Sequence, residues 1–292
     1  MKLENVLAGY VAGPRGKDGL ALALLLRERV HGRLTVATVQ PPVWSTPGPA
    51  RADESAWRAY LDEQAAATLA QAREQAGDDA AYVTHVHRGS GRGLVELARK
   101  IGADIVVIGP APGGGKGRVT MGSTADQLLH SSSVPVLLAP RGYGDDPPAA
   151  FDRLTYAYRR GPCCDAALKD AAETATSLGV PLRLVTLLIS SGRRAKIEEE
   201  MLTRLRDQAV ADLRAAARGH RPDAPGDIPL EIEVLEGRSV SQALRTTSWL
   251  PGEMIICASS ATGPLRRVFL GDTSIKIVRA STCPVMILTR QH

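Results

Sequence analysis

The feature that most constrains the fold of this chain is an internal repeat. Residues 119–141 align without gaps with residues 268–290, so that Gly122 corresponds to Gly271. The two segments lie about half a chain apart in a sequence of 292 residues. Solenoid repeats are much shorter, roughly 20 to 50 residues, so a period of this length indicates a duplicated domain. The chain therefore contains two copies of one fold.

The segment between the two copies has the composition of a linker. It reads GYGDDPPAA, and Gly, Asp and Pro favour turns over regular structure. We therefore predict a first domain at residues 1–143, a second domain at 151–292 and a linker at about 144–150. A hydrophobic fraction of 44% is enough to fill two cores.

Each half alternates short apolar runs with amphipathic helical patterns. Such runs, bounded by glycine or polar residues, are typical of strands buried on both faces of a parallel sheet. The predicted strands are 6–9, 34–39, 82–87, 105–108 and 134–138, then 154–157, 182–188, 231–235, 254–258 and 285–288. The predicted helices include 18–31, 54–75 and 195–218. This alternation predicts an α/β fold with two doubly wound, parallel, five-stranded sheets and helices on both faces. Sheets of this kind bind ligands at the carboxyl ends of their strands.

The stretch after the fourth predicted strand has the features of an anion site. A glycine-rich loop runs from Gly109 to Gly122, and Ser123 and Thr124 then open a helical pattern. A side-chain oxygen of either residue is expected to cap that helix. Free backbone N–H groups and the helix dipole converge at such a point, which favours a phosphate group.

The spacing of this loop resembles the pattern of the universal stress protein family, G-x2-G-x9-G-[ST]. Gly109, Gly122 and Ser123 match it, whereas the second glycine falls on Pro112, which is followed by Gly113. The downstream helix and x-P-V strand are also similar to the family, and the resemblance covers nearly the whole chain, twice. It implies an adenine nucleotide alpha hydrolase-like fold.

The resemblance also implies a cytoplasmic stress-response protein that acts as a regulator more than as a catalyst. Many members of the family bind ATP or AMP, and they usually dimerise through the last strand. A nucleotide site in the first domain is therefore implied, with Mg²⁺ as a possible companion of the nucleotide. The residues that match the family's positions, or lie beside them, are Gly9, Tyr10, Val11, Val39, Gly109, Gly113, Gly122, Ser123 and Thr124.

The two halves differ at these implied positions. In the first half, Val11 stands where the family has an aspartate that contacts the nucleoside, and Pro112 has no N–H to offer a phosphate. In the second half, Ala258 and Ala261 replace the loop glycines, and Asp272 replaces the serine. The alanines restrict the loop, and the carboxylate repels a phosphate. We therefore expect one nucleotide per chain, in the first domain only, bound weakly and with little selectivity among nucleotides.

Composition argues against several other classes of function. The net charge of +5 is spread over both halves, whereas nucleic-acid binding favours clustered cations. No apolar run reaches the length of a membrane span, and the sequence MKLENVL has no signal-peptide pattern. The four cysteines show no metal or disulfide spacing, and no Ser/His/Asp set or acid pair stands out. We therefore predict reduced thiols in the cytoplasm, no metal site and no catalytic residues.

Three functions are compared on these observations. The first is a tandem stress protein that works as a binding or regulatory module, with ATP or AMP in its first domain. The alternative is a nucleotide-independent scaffold, in which both pockets are degenerate and the ligand is a protein partner. The third, an adenylating or ATP-pyrophosphatase enzyme, needs a loop such as S-G-G-x-D-S after the first strand. That loop here reads GYVAGPRG, so at most weak ATP hydrolysis is expected.

The last predicted strand of each half is strongly apolar, in the segments VPVLLAP and CPVMILT. An uncovered edge strand of this kind favours association with another chain. Because the last strands cover one another in the family, we expect the two halves to pair as a pseudo-dimer within one chain. A homodimer of the whole chain is a further possibility.

Overall fold

The chain folds into two compact units, each built around one parallel sheet. The computed structural model describes residues 1–43, 51–190, 196–219, 230–259 and 272–288, and the side chains of 51–53 and 196–198 lie outside this description. The first unit is Leu3–Pro147, and the second unit is Pro148–His292 together with Met1–Lys2. The division falls between two prolines within the segment proposed as the linker.

The first unit contains five strands in the order β3-β2-β1-β4-β5, all parallel. Its elements are β1 (Asn5–Gly9), α1 (Pro14–Val30), β2 (Arg33–Gln40), α2 (Arg51–Ala76), β3 (Ala81–Val86), α3 (Ser90–Ile101), β4 (Ile105–Ile108), α4 (Ser123–Ser131) and β5 (Val136–Leu138).

The second unit repeats this plan, with strands in the order β10-β9-β6-β7-β8, again all parallel. Its elements are β6 (Arg153–Ala157), α5 (Pro162–Leu178), β7 (Leu182–Ile189), α6 (Lys196–Gly219), β8 (Leu230–Gly237), α7 (Val240–Ala243), β9 (Glu253–Ala258), α8 (Asp272–Ala280) and β10 (Val285–Leu288). The predicted fold class, two doubly wound parallel sheets, is confirmed. Among the described residues, no helix has the length and apolar character needed to cross a membrane.

Right-handed crossovers place the helices of the first unit on both faces of its sheet. The chain steps from β1 to β2 to β3 in one direction through α1 and α2, and α3 then carries it back past β1 to β4. Because every parallel crossover keeps the same hand, this reversal moves α3 and α4 to the opposite face. Helix α1 accordingly contacts α2, and α3 contacts α4. The reversal opens a crevice at the carboxyl ends of β1 and β4, the usual position of a ligand in such sheets.

The central strands are the most deeply buried parts of both units. In the first unit, Val6, Leu7 and Val106 have no exposed surface, and Leu154 and Ile256 are equally buried in the second. Continuous aliphatic runs therefore lie where helices cover both faces of the sheet. The ends of the predicted strands agree with the observed ones to within about two residues.

Helix α1 begins earlier than the sequence predicted. The expected helix spanned 18–31, whereas the observed one begins at Pro14 and follows Gly13, whose φ is 91°. Proline suits the first position of a helix because its missing N–H would have no partner there. The additional turn places Arg15 beside the crevice, and Asp18, the first residue of the expected helix, is buried inside the observed one.

Candidate functional site

A cavity of about 300 Å³ opens at the carboxyl edge of the first sheet. It is bounded by the ends of β1, β2 and β4 and by the beginnings of α1, α3 and α4. Eight of the nine residues predicted from sequence line it, namely Gly9, Tyr10, Val11, Val39, Gly109, Gly122, Ser123 and Thr124. Gly113, the ninth, does not line the cavity and takes a left-handed φ of 84° in the loop. The volume lies at the small end of the range of about 300–1,000 Å³ for small-molecule sites.

Ten further residues line the cavity and were not predicted. They are Arg15, Ala37, Ser90, Leu94, Ile108, Pro110, Ala111, Pro112, Thr120 and Ala125. Ser90 follows Gly89 at the start of α3, so the rule that ligands lie beyond the carboxyl ends of strands could have indicated it. Arg15 could not be placed without knowing that α1 begins at Pro14.

Two glycines of the loop, Gly109 and Gly122, lie close to neighbouring segments around the cavity. A Cβ atom on Gly109 would lie 1.8 Å from the carbonyl oxygen of Arg15, and one on Gly122 would lie 2.8 Å from the Cβ of Ala111. No larger residue fits at Gly109 without moving the backbone of α1. The packing of α1 against β4 thus accounts for this glycine whether or not a ligand is bound.

Helix α4 begins without a side-chain cap. Gly122 is the N-cap residue, so the expectation that Ser123 or Thr124 caps the helix is wrong. The Thr124 hydroxyl instead shares a 2.6 Å hydrogen bond with the hydroxyl of Ser90. Because the N–H groups of the first turn have no acceptor within a helix, they remain available to an acceptor in the cavity.

The glycine-rich loop is held by the residues that follow β5. The backbone of Arg141 accepts a hydrogen bond from Gly117 N–H at 2.8 Å and donates one to Arg118 O at 3.0 Å. Its guanidinium donates to Gly114 O at 2.6 Å. Lys116 adds an ion pair to the carboxylate of Asp145 at 3.2 Å.

Asp18 fixes the same segment to helix α1. Its side chain is only 2% exposed, and its two oxygens accept hydrogen bonds from the N–H groups of Gly142 and Gly144, both at 2.9 Å. Satisfied in this way, a buried carboxylate stabilises the turn rather than destabilising the core. We call Asp18, Lys116, Arg141 and residues 142–145 the clasp, since together they connect α1, the glycine-rich loop and the segment that leaves β5.

The part of the cavity formed by β1 and β2 is mostly apolar. Val11 is 47% exposed and offers no acceptor, and Ala37 and Val39 add aliphatic surface from β2. The buried phenol oxygen of Tyr10 accepts a hydrogen bond from Gln75 Nε2 at 3.3 Å. Burial raises the pKa of Tyr10 above its ordinary value, so the phenol stays protonated at neutral pH. At this end, the cavity therefore contacts a ligand through apolar surface and shape rather than through charge.

Arg15 is the only charged residue among the described residues that line the cavity. In the part of the chain that the structure describes, the lining includes Ser90, Thr120, Ser123 and Thr124, which carry hydroxyls, but no carboxylate residue. Mg²⁺ is usually held by one or two carboxylates together with substrate phosphates. The described residues of the cavity thus do not fit a protein-held Mg²⁺ ion, and no group of three or more metal-binding side chains occurs in the described ranges.

The second unit carries a different charge at the corresponding place. Ala258 ends β9, and Asp272 begins α8, where the first unit has Gly109 near the end of β4 and Ser123 at the start of α4. The Asp272 carboxylate pairs with Lys276, one turn further along, at 2.5 Å. The positive charge of Lys276 offsets part of the repulsion between the Asp272 carboxylate and a phosphate that the sequence predicted. Ala261 lies outside the described residues.

The duplicated, doubly wound sheets define a tandem α/β protein, and its first unit has a cavity beside a glycine-rich loop. Both halves match the Universal stress protein family, over residues 2–140 and 150–289. The chain therefore belongs to the universal stress protein family, as the spacing of its loop indicated.

Similar proteins with the same tandem length support this assignment. Universal stress proteins Rv2319c of Mycobacterium tuberculosis and Mb2346c of Mycobacterium bovis are each 32% identical to it over 299 aligned residues, covering 97% of this chain and 99% of the relative. The crystal structure of a universal stress protein from Archaeoglobus fulgidus aligns with a TM-score of 0.63 at 18% identity, covering 99% of both chains. Protein PA1789 of Pseudomonas aeruginosa aligns with a TM-score of 0.58 at 14% identity, over 98% of this chain and 92% of that one. At such identities the structural likeness supports the fold alone.

Proposed function

We propose that this protein is a stress-response binding module whose first unit takes up one adenine nucleotide, ATP or AMP. One observation carries the proposal: the cavity joins an apolar recess at β1 and β2 to the uncapped N-terminus of α4. The apolar recess suits a base and ribose, and the helix N-terminus with its hydroxyls suits a phosphate. The cavity volume of about 300 Å³ is suited to one mononucleotide and not to a larger ligand.

Binding, rather than catalysis, is the role that the cavity favours. Its described lining contains no histidine, cysteine or carboxylate that could act as a general base or nucleophile. Tyr10 is protonated and engaged with Gln75. We accordingly propose a regulator that works through its bound state, located in the cytoplasm, where the four free thiols would persist.

The proposal assigns nucleotide to the first unit and none to the second. Calorimetric titration with ATP and AMP tests it on the parent and on two exchange variants, Ser123→Asp and Asp272→Ser. An aspartate at position 123 sets a carboxylate against the phosphate, a repulsion of roughly 4 kcal/mol at ~4 Å and an effective dielectric constant of ~20, before screening. We expect one nucleotide per chain for the parent, no measurable binding for Ser123→Asp and near-parental binding for Asp272→Ser.

Several outcomes would contradict this assignment. Two nucleotides per chain would show that the second unit also binds. Binding that survives Ser123→Asp would show that the site lies in another unit or another loop. If the parent binds neither nucleotide, the nucleotide-independent scaffold with a protein partner becomes the better account. Equal thermal unfolding of the three proteins without ligand is the control for folding.

A further inference from the structure

The described lining of the cavity in the first unit includes one cationic residue and no acidic residue. Arg15 is the second residue of α1, it is exposed, and it is the one charged residue among the described residues that line the cavity. Throughout the described ranges, no carboxylate forms an ion pair with its guanidinium. Surface arginines of this kind are usually solvated and have no specific role, and Arg15 differs from them in its position at the cavity.

The backbone of Arg15 lies directly beside the glycine-rich loop. Its carbonyl oxygen would be 1.8 Å from a Cβ atom on Gly109, the residue that follows β4. Helix α1 packs on the opposite face of the sheet from α3 and α4, as the crossovers require. Arg15 and the N-terminus of α4 therefore approach the start of the loop from two sides. A phosphate bound at Ser123 would lie in the same cavity as Arg15, the one cationic residue of its described lining.

The charge of a polyphosphate needs a counter-charge, and among the described lining residues Arg15 is the one that carries a full positive charge. Nucleotide sites commonly use Mg²⁺ held by carboxylates, which the described lining lacks. An arginine can take that place, because its planar fork donates two parallel hydrogen bonds to phosphate oxygens and stays charged at all accessible pH values.

We propose that Arg15 is the phosphate-charge determinant of the first unit. It makes the cavity selective for nucleoside di- and triphosphates over monophosphates, and it makes their binding independent of divalent metal. The inference rests on the proposed nucleotide site and narrows it from ATP or AMP to the polyphosphates.

The test uses Arg15→Gln and a matched control, Lys17→Gln. Lys17 is exposed on the same helix, two residues further on, but does not line the cavity. AMP, ADP and ATP are titrated calorimetrically into the full-length parent and both variants, once with EDTA and once with excess Mg²⁺. Sodium tripolyphosphate serves as a fourth probe that lacks the nucleoside.

We expect the parent to bind ATP at least about tenfold more tightly than AMP, with or without Mg²⁺, since charge-assisted hydrogen bonds are worth that much or more. Arg15→Gln should lose that ratio, because its affinity for ATP and tripolyphosphate should fall. Its affinity for AMP should stay within about twofold of the parent's. The salt dependence of ATP binding should also become shallower in this variant. Lys17→Gln should match the parent in every titration.

The inference is overturned if the parent binds ATP and AMP equally, if Arg15→Gln keeps the parental ratio, or if ATP binds only with Mg²⁺. These outcomes leave the proposed nucleotide site intact. If the parent binds none of the four probes, AMP, ADP, ATP and tripolyphosphate, both the inference and the proposed function are overturned. Because position 15 is exposed, equal melting temperatures without ligand should show that Arg15→Gln folds normally.

Discussion

At the scale of single residues, the four cysteines occupy two different environments. Cys257 and Cys283 are buried in and beside the second sheet, and burial raises the pKa of each thiol to about 12. Cys163 and Cys164 are partly exposed in the first turn of α5. All four thiols are free. Their reactivity should therefore divide into two pairs.

We expect N-ethylmaleimide to modify Cys163 and Cys164 in the native protein and to spare Cys257 and Cys283. The thiolate is the reactive species, and a pKa of about 12 leaves roughly one buried thiol in ten thousand ionised at pH 8. Intact-mass measurement should show two adducts at pH 8 in native buffer and four in guanidinium chloride without reductant. Four adducts in native buffer would contradict the burial, and two in guanidinium would reveal a crosslink.

The residues of the candidate site show what a sequence can reveal at this scale. The spacing from Gly109 to Ser123 was readable because it lies within one strand–loop–helix unit. Ser90 and Arg15 reach the same cavity from two other helices, and their approach depends on packing that no local pattern records. The cap was misjudged because Gly122, and not a hydroxyl residue, is the N-cap of α4.

At the scale of elements, the second sheet contains a buried ionic network at the start of its central strands. Glu253 is 1% exposed and accepts hydrogen bonds from Arg183 at 2.7 Å and from Arg153 at 2.9 Å. It also accepts one from Thr155. The Arg183 guanidinium lies 4.9 Å from the ring centroid of Trp249. Each buried charge thus has partners, which is the condition for tolerating it.

We expect Arg183→Met to lower the free energy of unfolding of the second unit by about 3–5 kcal/mol, because Glu253 would lose a partner while remaining buried. Urea denaturation followed by circular dichroism measures the effect. The control is Arg206→Met, which removes an ion pair to Glu236 whose partners are both partly exposed and should cost no more than about 1 kcal/mol. Equal losses in the two variants would show that the network contributes no special stability.

This network could not be predicted from the sequence, although the strands could. Arg153, Arg183 and Glu253 each begin or interrupt an apolar run and look like ordinary boundary residues. They meet because β6 pairs with β9 so that Arg153 faces Glu253, and with β7 so that Thr155 faces Arg183. Register between strands distant in sequence is set by the packing of the whole sheet.

At the scale of the whole molecule, the duplicated pattern was sufficient to predict two α/β units. Aliphatic runs, their spacing and right-handed crossovers leave few other arrangements. The pairing of the two halves stays a prediction, and its basis is the position of the last strand in each copy. Within its own sheet, β5 is an edge strand next to β4, and β10 is an edge strand next to β9.

We expect residues 1–147 expressed alone to dimerise or aggregate, because the apolar edge formed by β5 would then have no partner from the second copy. Multi-angle light scattering at several concentrations measures the mass, with the full-length chain as the control. A stable monomer of the isolated first unit, with an intact circular dichroism spectrum, would speak against a pseudo-dimer.

The clasp has a consequence for how the boundary of the first copy is drawn. The family match to the first half ends at residue 140, just after the last strand. Arg141 and Asp145, which hold the glycine-rich loop, and Gly142 and Gly144, which are bound by Asp18, all lie beyond that point. A truncation at 140 would keep every strand and helix of the copy and still release its loop. The family match to this copy and the segment that holds its glycine-rich loop in place therefore end at different residues. Arg141 is the last residue of the internal repeat, whereas Gly142, Gly144 and Asp145 lie beyond it and belong to the junction between the two copies.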